Sequence, residues 1–424
     1  MSRFLLRIGF FAGLGSACVV AATPSTPTPA ASAAVPAVSQ AAESADPAVR
    51  LPAVAGRMVD RGEFDGAEKS FREVLDSGKF SLEEQKDALM GMARLYRKKG
   101  SFAKTAAIYE KFLKDFPDDA RCPLVMLELG RTLRAIGTYS MAISRFYGVI
   151  NSTLKLTSDA LNDYQLLAKT AQFEIAETHF EMGNYGEAAR FFSKLRLLEL
   201  VPEDRARAHF KAGYSHRLNK DHEAAIRTLQ DFIDSYPKDE NVAEAYFLLA
   251  ATYWDSNRRE EALAATLQLF QHQSDRPGND AKRWTYWQRR TGNQLANDLY
   301  QVGETQSALQ IYLRLADLSP EPEWRMPSLY QAGLCYERLK GVKEATDIYQ
   351  SIVEAAAKAP TSVILGELAK MATWRQDQFS WQEETAQKAA ALFSTLPPPK
   401  APRGPEPKKD DDPGRSPKPA PSGL

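Results

Sequence analysis

The chain reads as an all-α protein, a solenoid of about eight helical hairpins closed by a C-terminal pair of capping helices, and three observations carry that reading. A small residue recurs as Ala67, Thr105, Ala142, Ala188, Ala225, Ala262, Ala308 and Ala345, at spacings of 38, 37, 46, 37, 37, 46 and 37. A period in this range marks stacked two-helix units, because one hairpin cannot bury its apolar face alone and must lean on the next. Around each small residue the same apolar spacing returns. A longer period lies over the first: Ala142 to Ala262, Ala188 to Ala308, Ala225 to Ala345, Gly183 to Gly303, Pro117 to Pro237 and Pro202 to Pro322 are each 120 residues apart. This suggests a unit of three hairpins copied along the chain.

In the second repeat Ala93 and Tyr96 lie three apart on a first helix, Gly100 and Phe102 make the turn, and Thr105, Tyr109 and Phe112 share one face of a second helix that closes at Pro117. Residues three and four apart are neighbours on a helix surface, so the spacing predicts two amphipathic helices. Gly130, Leu133, Gly137, Ala142 and Phe146 repeat the pattern, as do Ala176, His179, Gly183, Ala188 and Phe192. Later copies run through Gly213, Ala225, Leu229 and Phe232, then Ala250, Tyr253 and Ala262, then Ala296, Gly303, Ala308 and Tyr312, then Gly333, Tyr336, Ala345 and Tyr349. Departures are Asn257 and Lys340 where glycine is usual, Thr105 for alanine and Thr266 for the aromatic, which makes the sixth repeat the weakest. Over roughly residues 48 to 358 this pattern resembles the tetratricopeptide-repeat family, in its exported bacterial-envelope type. The resemblance implies a right-handed superhelix whose groove is lined by the first helix of each pair and binds other proteins.

Every third junction is longer by about nine residues, near 151 to 169 and 271 to 291, so longer loops or lengthened helices are expected there. Trp284, Tyr286, Trp287, Arg289 and Arg290 fall in the second, either as core of a lengthened helix or as an aromatic binding cluster.

The ends differ from the middle. Residues 1–22 carry Arg3 and Arg7, an apolar run and Val20-Ala21-Ala22, the form of a signal peptide with a small-residue cleavage site. Ser16-Ala17-Cys18 matches the end of a lipoprotein box except that Gly15 stands where leucine is expected, so Cys18 is a candidate for lipidation and cleavage after Ala22 the alternative. Residues 23–47 are rich in Ala, Pro and Ser and read as a flexible linker. Residues 359–395 read as the capping helices, and 396–424, with Pro397-Pro398-Pro399 and Lys408-Lys409-Asp410-Asp411-Asp412, as a disordered tail. The address is export, to the periplasm or the outer membrane, with membrane contact only through the lipid.

Lys plus Arg is 54 and Asp plus Glu is 54, so no global field draws the chain to nucleic acid. The five histidines form no H-E-x-x-H, and Cys122 and Cys335 have no paired ligands at metal spacing. S-x-x-K occurs at Ser101–Lys104 and again at Ser152–Lys155 without the motifs that accompany it in enzymes. No catalytic residue, metal or cofactor is expected.

Binding is where residues discriminate. The face of each first helix includes the residue just after the small packing position and the one three further on. These are Arg94, Arg97, Arg131 and Arg134, with Arg217 further along. They are either a solvated face or a basic block suited to the carboxylates of an acidic partner segment. The same face presents Phe180, Tyr214, Trp254 and Tyr300, residue types that anchor interfaces. The function expected is a non-enzymatic scaffold that recruits envelope proteins or peptides through this groove. The alternatives are a carbohydrate or peptidoglycan-binding module, and an accessory subunit that positions an envelope enzyme.

Overall fold

The computed structural model describes residues 51–153, 161–271 and 281–395. The signal-like segment with Cys18, the linker and the tail lie outside the described residues, as do His272 and the turn at 274–279. The described residues form seventeen α-helices and no strand, in two compact units that divide after Ser235. The first unit holds five hairpins: α1 (Leu51–Arg61) with α2 (Phe64–Asp76), α3 (Leu82–Lys98) with α4 (Phe102–Asp115), α5 (Cys122–Ile136) with α6 (Tyr139–Thr153), α7 (Leu161–Glu181) with α8 (Tyr185–Leu195), and α9 (Pro202–Leu218) with α10 (His222–Ser235). The second holds α11 (Val242–Asp255) with α12 (Arg259–Gln271), α13 (Ala281–Gln301) with α14 (Thr305–Asp317), α15 (Pro322–Arg338) with α16 (Val342–Lys358), and then α17 (Val363–Thr395).

Each hairpin is closed by the residues that the repeat marks. The eight small residues from Ala67 to Ala345 are all fully buried on the second helix of their pair. One turn later stand Phe71, Tyr109, Phe146, Phe192, Leu229, Thr266, Tyr312 and Tyr349, also buried. These side chains explain the small residue across the hairpin. A β-carbon on Gly130 would come within 2.5 Å of the Phe146 ring, and one on Gly333 within 2.6 Å of Tyr349. Thr266 is too small for the role, so its hydroxyl donates to the Ala262 carbonyl at 2.9 Å and the role passes one turn on to the buried ring of Phe270. Gly292 faces that ring, where a β-carbon would approach to 2.8 Å.

The turns obey the same period. Residues 62, 100, 137, 183, 220, 257, 303 and 340 all take left-handed φ, between 60° and 92°. The following amide folds back onto the helix, as where the Ser101 N–H donates to the Tyr96 carbonyl at 2.8 Å, which caps the free carbonyls of the first helix. Five of these residues are glycine. Asn257 and Lys340 depart from it as the repeat comparison indicates, and Lys220, which that comparison passes over, is a third exception.

The 120-residue copy is visible in the structure. α7 and α13 are each 21 residues long, against 17 for α3, α9 and α15, so part of the extra junction length is a lengthened first helix. Ahead of α5, Asp119 Oδ1 accepts the Arg121 amide at 2.9 Å; ahead of α11, Asp239 Oδ1 accepts the Asn241 amide at 2.8 Å. The expected pair of capping helices is instead one continuous helix, α17. No glycine or proline lies between Lys370 and Thr395 to break it. Its first half buries Leu365, Leu368 and Ala372 and sets Phe379 against Tyr349, with ring centres 6.4 Å apart.

Candidate functional site

The first helices of the first unit are joined by a ladder of ion pairs. Asp60 of α1 meets Arg94 at 2.6 Å and Lys98 at 3.1 Å on α3. Arg97 pairs with Glu128 of α5. Glu128 also holds Arg131 at 2.8 Å, and Glu174 of α7 receives Arg131 at 2.6 Å and Arg134 at 2.7 Å. Further along α7, Glu177 faces Lys211 at 3.1 Å and Arg207 at 3.4 Å on α9. Burial acts to raise the Glu177 pKa, yet Lys211 and Arg207 hold the carboxyl below its ordinary range. The four arginines therefore sit on one face, as their spacing predicts, but each is already engaged by a carboxylate of a neighbouring first helix. This corrects the expectation of an open basic block. A partner's acidic segment would have to displace intramolecular partners at about equal charge, with little net gain.

The aromatic residues of the first unit are placed to be read from outside. Phe180 and Tyr214 meet edge to face at 5.4 Å, Tyr185 closes on Phe180 at 5.6 Å, and the Lys211 ammonium lies 4.5 Å from the centre of the Phe180 ring. Phe180 and Tyr214 stay half-buried, with Arg217 half-buried one turn past Tyr214. Trp254 and Tyr300 belong to the second unit, so the expected series of four aromatics divides two and two.

In the second unit the seams combine stacking with ion pairs: Arg283 of α13 meets Glu244 of α11 at 3.5 Å, and Arg375 of α17 meets Glu337 of α15 at 3.2 Å. Trp254 carries the Arg259 guanidinium 5.7 Å from its ring, and Tyr300 carries that of Arg338 at 5.0 Å. In the N-terminal turns of α13, Trp284 is buried, which is the core reading of that cluster. Tyr286 is 52% exposed, and Trp287 packs on Phe247 of α11 at 5.0 Å under the Arg290 guanidinium. Beside them α11 and α13 leave a shallow open recess, floored by Ala250, Ala251 and Leu295, walled by Phe247 and Trp254, and edged by Asp255, Gln294 and Asp298. The sequence reading picks out Trp254 but misses Asp298. The signal was available only as a difference between copies, since Thr178 stands 120 residues before it.

Among the described residues no group of His, Cys, Asp and Glu is arranged to hold a metal ion, and no helix is long and apolar enough to cross a membrane. Cys122 and Cys335 are buried free thiols, and burial pushes Cys335 up to about 12.

Sequence models of known families match three stretches. Two described as tetratricopeptide repeats cover residues 59–120 and 328–358. Those stretches contain hairpins with the buried alanine, aromatic and left-handed turn described above. The chain carries tetratricopeptide repeats. A third model, the family YfiO, described as an outer membrane lipoprotein, matches this repeat protein over residues 167–281. No curated protein matches the chain. Among solved structures, the apo form of RapI is 11% identical over 78% of this repeat protein and 85% of that chain, with a TM-score of 0.48. A tetratricopeptide repeat protein from Parabacteroides merdae is 13% identical over 76% and 97%, with a TM-score of 0.39. MamA is 19% identical over 47% and 96%, with a TM-score of 0.32. At these TM-scores the assignment of the repeat protein rests on its own helices and on the family models.

Proposed function

We propose that the chain is a non-enzymatic scaffold of the bacterial cell envelope that recruits partner proteins through the first-helix faces of its repeats. The observation that carries this reading is the half-buried aromatic residues on those faces, Phe180 with Tyr214 in one unit and Phe247, Trp254 and Trp287 in the other. Rings left partly in water gain on being covered, and such rings dominate interface energetics. The envelope address is supported by the match to an outer-membrane lipoprotein family and by the signal-like residues 1–22. Charge is not the main attraction, since the arginines of the first unit have their carboxylates at hand.

The test is photocrosslinking in the native host from a reactive residue placed at Tyr214 or at Trp254, with the adducts identified by mass spectrometry. A discrete protein adduct, lost when Phe180 or Phe247 is replaced by alanine, is the expected result. Glycan adducts would replace this reading with the carbohydrate-binding one. Fractionation of the same cells checks the address: recovery in the cytosol would remove the envelope half of the proposal.

A further inference from the structure

The two copies of the three-hairpin unit use the same seam differently. In the first copy the seam between α5 and α7 is filled by Arg131 and Arg134, which reach across to Glu174. One period of 120 residues later these positions are Ala251, Trp254 and Gln294. The filling side chains are gone and the recess stands in their place. Two carboxylates appear at its edge where the first copy has none: Ala135 becomes Asp255, and Thr178 becomes Asp298. Thr178 is fully buried and donates to the Glu174 carbonyl. Asp298 is half-buried and, among the described residues, its carboxylate accepts no hydrogen bond and forms no ion pair.

A half-buried carboxylate without a cation is costly, and every seam carboxylate of the first unit avoids that cost by pairing. Resting on the scaffold reading above, we propose that this recess receives a lysine or arginine side chain of a partner protein. Its cation occupies the place that Arg131 and Arg134 take in the first copy. The stem of such a side chain is apolar and suits the floor of Ala250, Ala251 and Leu295 and the Trp254 wall, while its head reaches Asp298 and Asp255. Burial and the neighbouring Asp255 charge both raise the Asp298 pKa, as expected of an acid that still lacks its counter-ion. The partner segment is therefore basic, opposite in sign to the one that the arginine spacing suggests.

A random dodecapeptide library displayed on phage is selected on the purified full chain, and in parallel on Asp298→Asn and on Ala251→Arg. The first variant removes the charge, and the second returns an arginine to the position where the first copy has one. Circular dichroism checks the helicity of both. The expected result is selection of peptides rich in Lys or Arg whose synthetic forms bind about tenfold more weakly to Asp298→Asn, the scale of one charge-assisted hydrogen bond, and lose binding to Ala251→Arg. Selected peptides without Lys or Arg, or basic ones that bind both variants as well as the parent, overturn the proposal and leave the scaffold reading standing. Selection of no peptide at all removes both.

Discussion

The two units are built on one hairpin and hold their first helices together by ion pairs and ring contacts in different proportions. In the first, carboxylates and guanidinium groups pair across every seam from Asp60 to Lys211. In the second, Arg290 of α13 lies on Phe247 of α11 and Arg338 of α15 on Tyr300 of α13, beside ion pairs of Arg283 with Glu244 and of Arg375 with Glu337. The buried alanine and the left-handed turn are the same in both, which teaches that the repeat dictates the core and leaves the seams free to diverge. All six tryptophans belong to the second unit, while four of the five histidines belong to the first. Tryptophan fluorescence therefore follows the second unit alone, and circular dichroism follows both.

The largest expected difference is in acid. Burial, with a smaller push from Arg196, lowers His209 to about 4, and burial first also lowers His179 and His216. A histidine with a depressed folded pKa is neutral in the fold and takes up a proton on unfolding. Its contribution is complete above the unfolded value near 6.5, declines as pH falls, and is gone below the folded value. The first unit should lose about 3 kcal/mol through His209 between roughly pH 6.5 and 4. Thermal melts followed by circular dichroism at pH 7 and pH 4.5 should show an early transition at the lower pH that tryptophan fluorescence does not share. His209→Leu, which installs the residue found 120 positions later, should flatten that dependence. Coincident transitions by both probes at pH 4.5 would break the comparison.

A middle-sized effect separates the seams. Glu174→Ala leaves Arg131 and Arg134 facing each other without their shared carboxylate and should cost about 2 kcal/mol in urea unfolding followed by circular dichroism. Gln294→Ala, at the matching position of the second unit, should stay within about 0.5 kcal/mol by fluorescence. Equal costs would mean that the ladder is decoration. The smallest effects belong to the turns. Lys220→Gly and Lys340→Gly each remove a non-glycine residue from left-handed φ and should raise stability by about 1 kcal/mol, with Asn257→Gly giving less because asparagine tolerates that conformation. A loss of stability at Lys220→Gly would show that its side chain contributes to the turn.

The hairpins were legible because their signal is steric and local. A residue such as Gly130 or Gly333 is small because a ring sits against it, and the ring lies at a constant offset in the chain. The positions of Phe180 and Tyr214 on one face follow from the same register. What the register could not carry is charge state. Arg134 looks like a free cation in the sequence because Glu174, which neutralises it, lies 40 residues away on the next first helix. The recess was hidden for the opposite reason, since it arises from what Ala251 lacks and becomes visible only when the copies are laid over one another. The continuous α17 escaped because Ala386, Ala390 and Phe393 look like a new helix when the polar stretch between the two apolar runs is taken for a loop.

That helix has a mechanical consequence. At 1.5 Å per residue, the stretch from Phe379 to Thr395 spans about 24 Å. From Ser380 to Phe393 every residue but Ala389 is exposed, so this length buries little apolar surface. α17 thus works as a boom: its root is clamped by Leu365, Leu368 and Phe379, and its outer turns carry no core of their own.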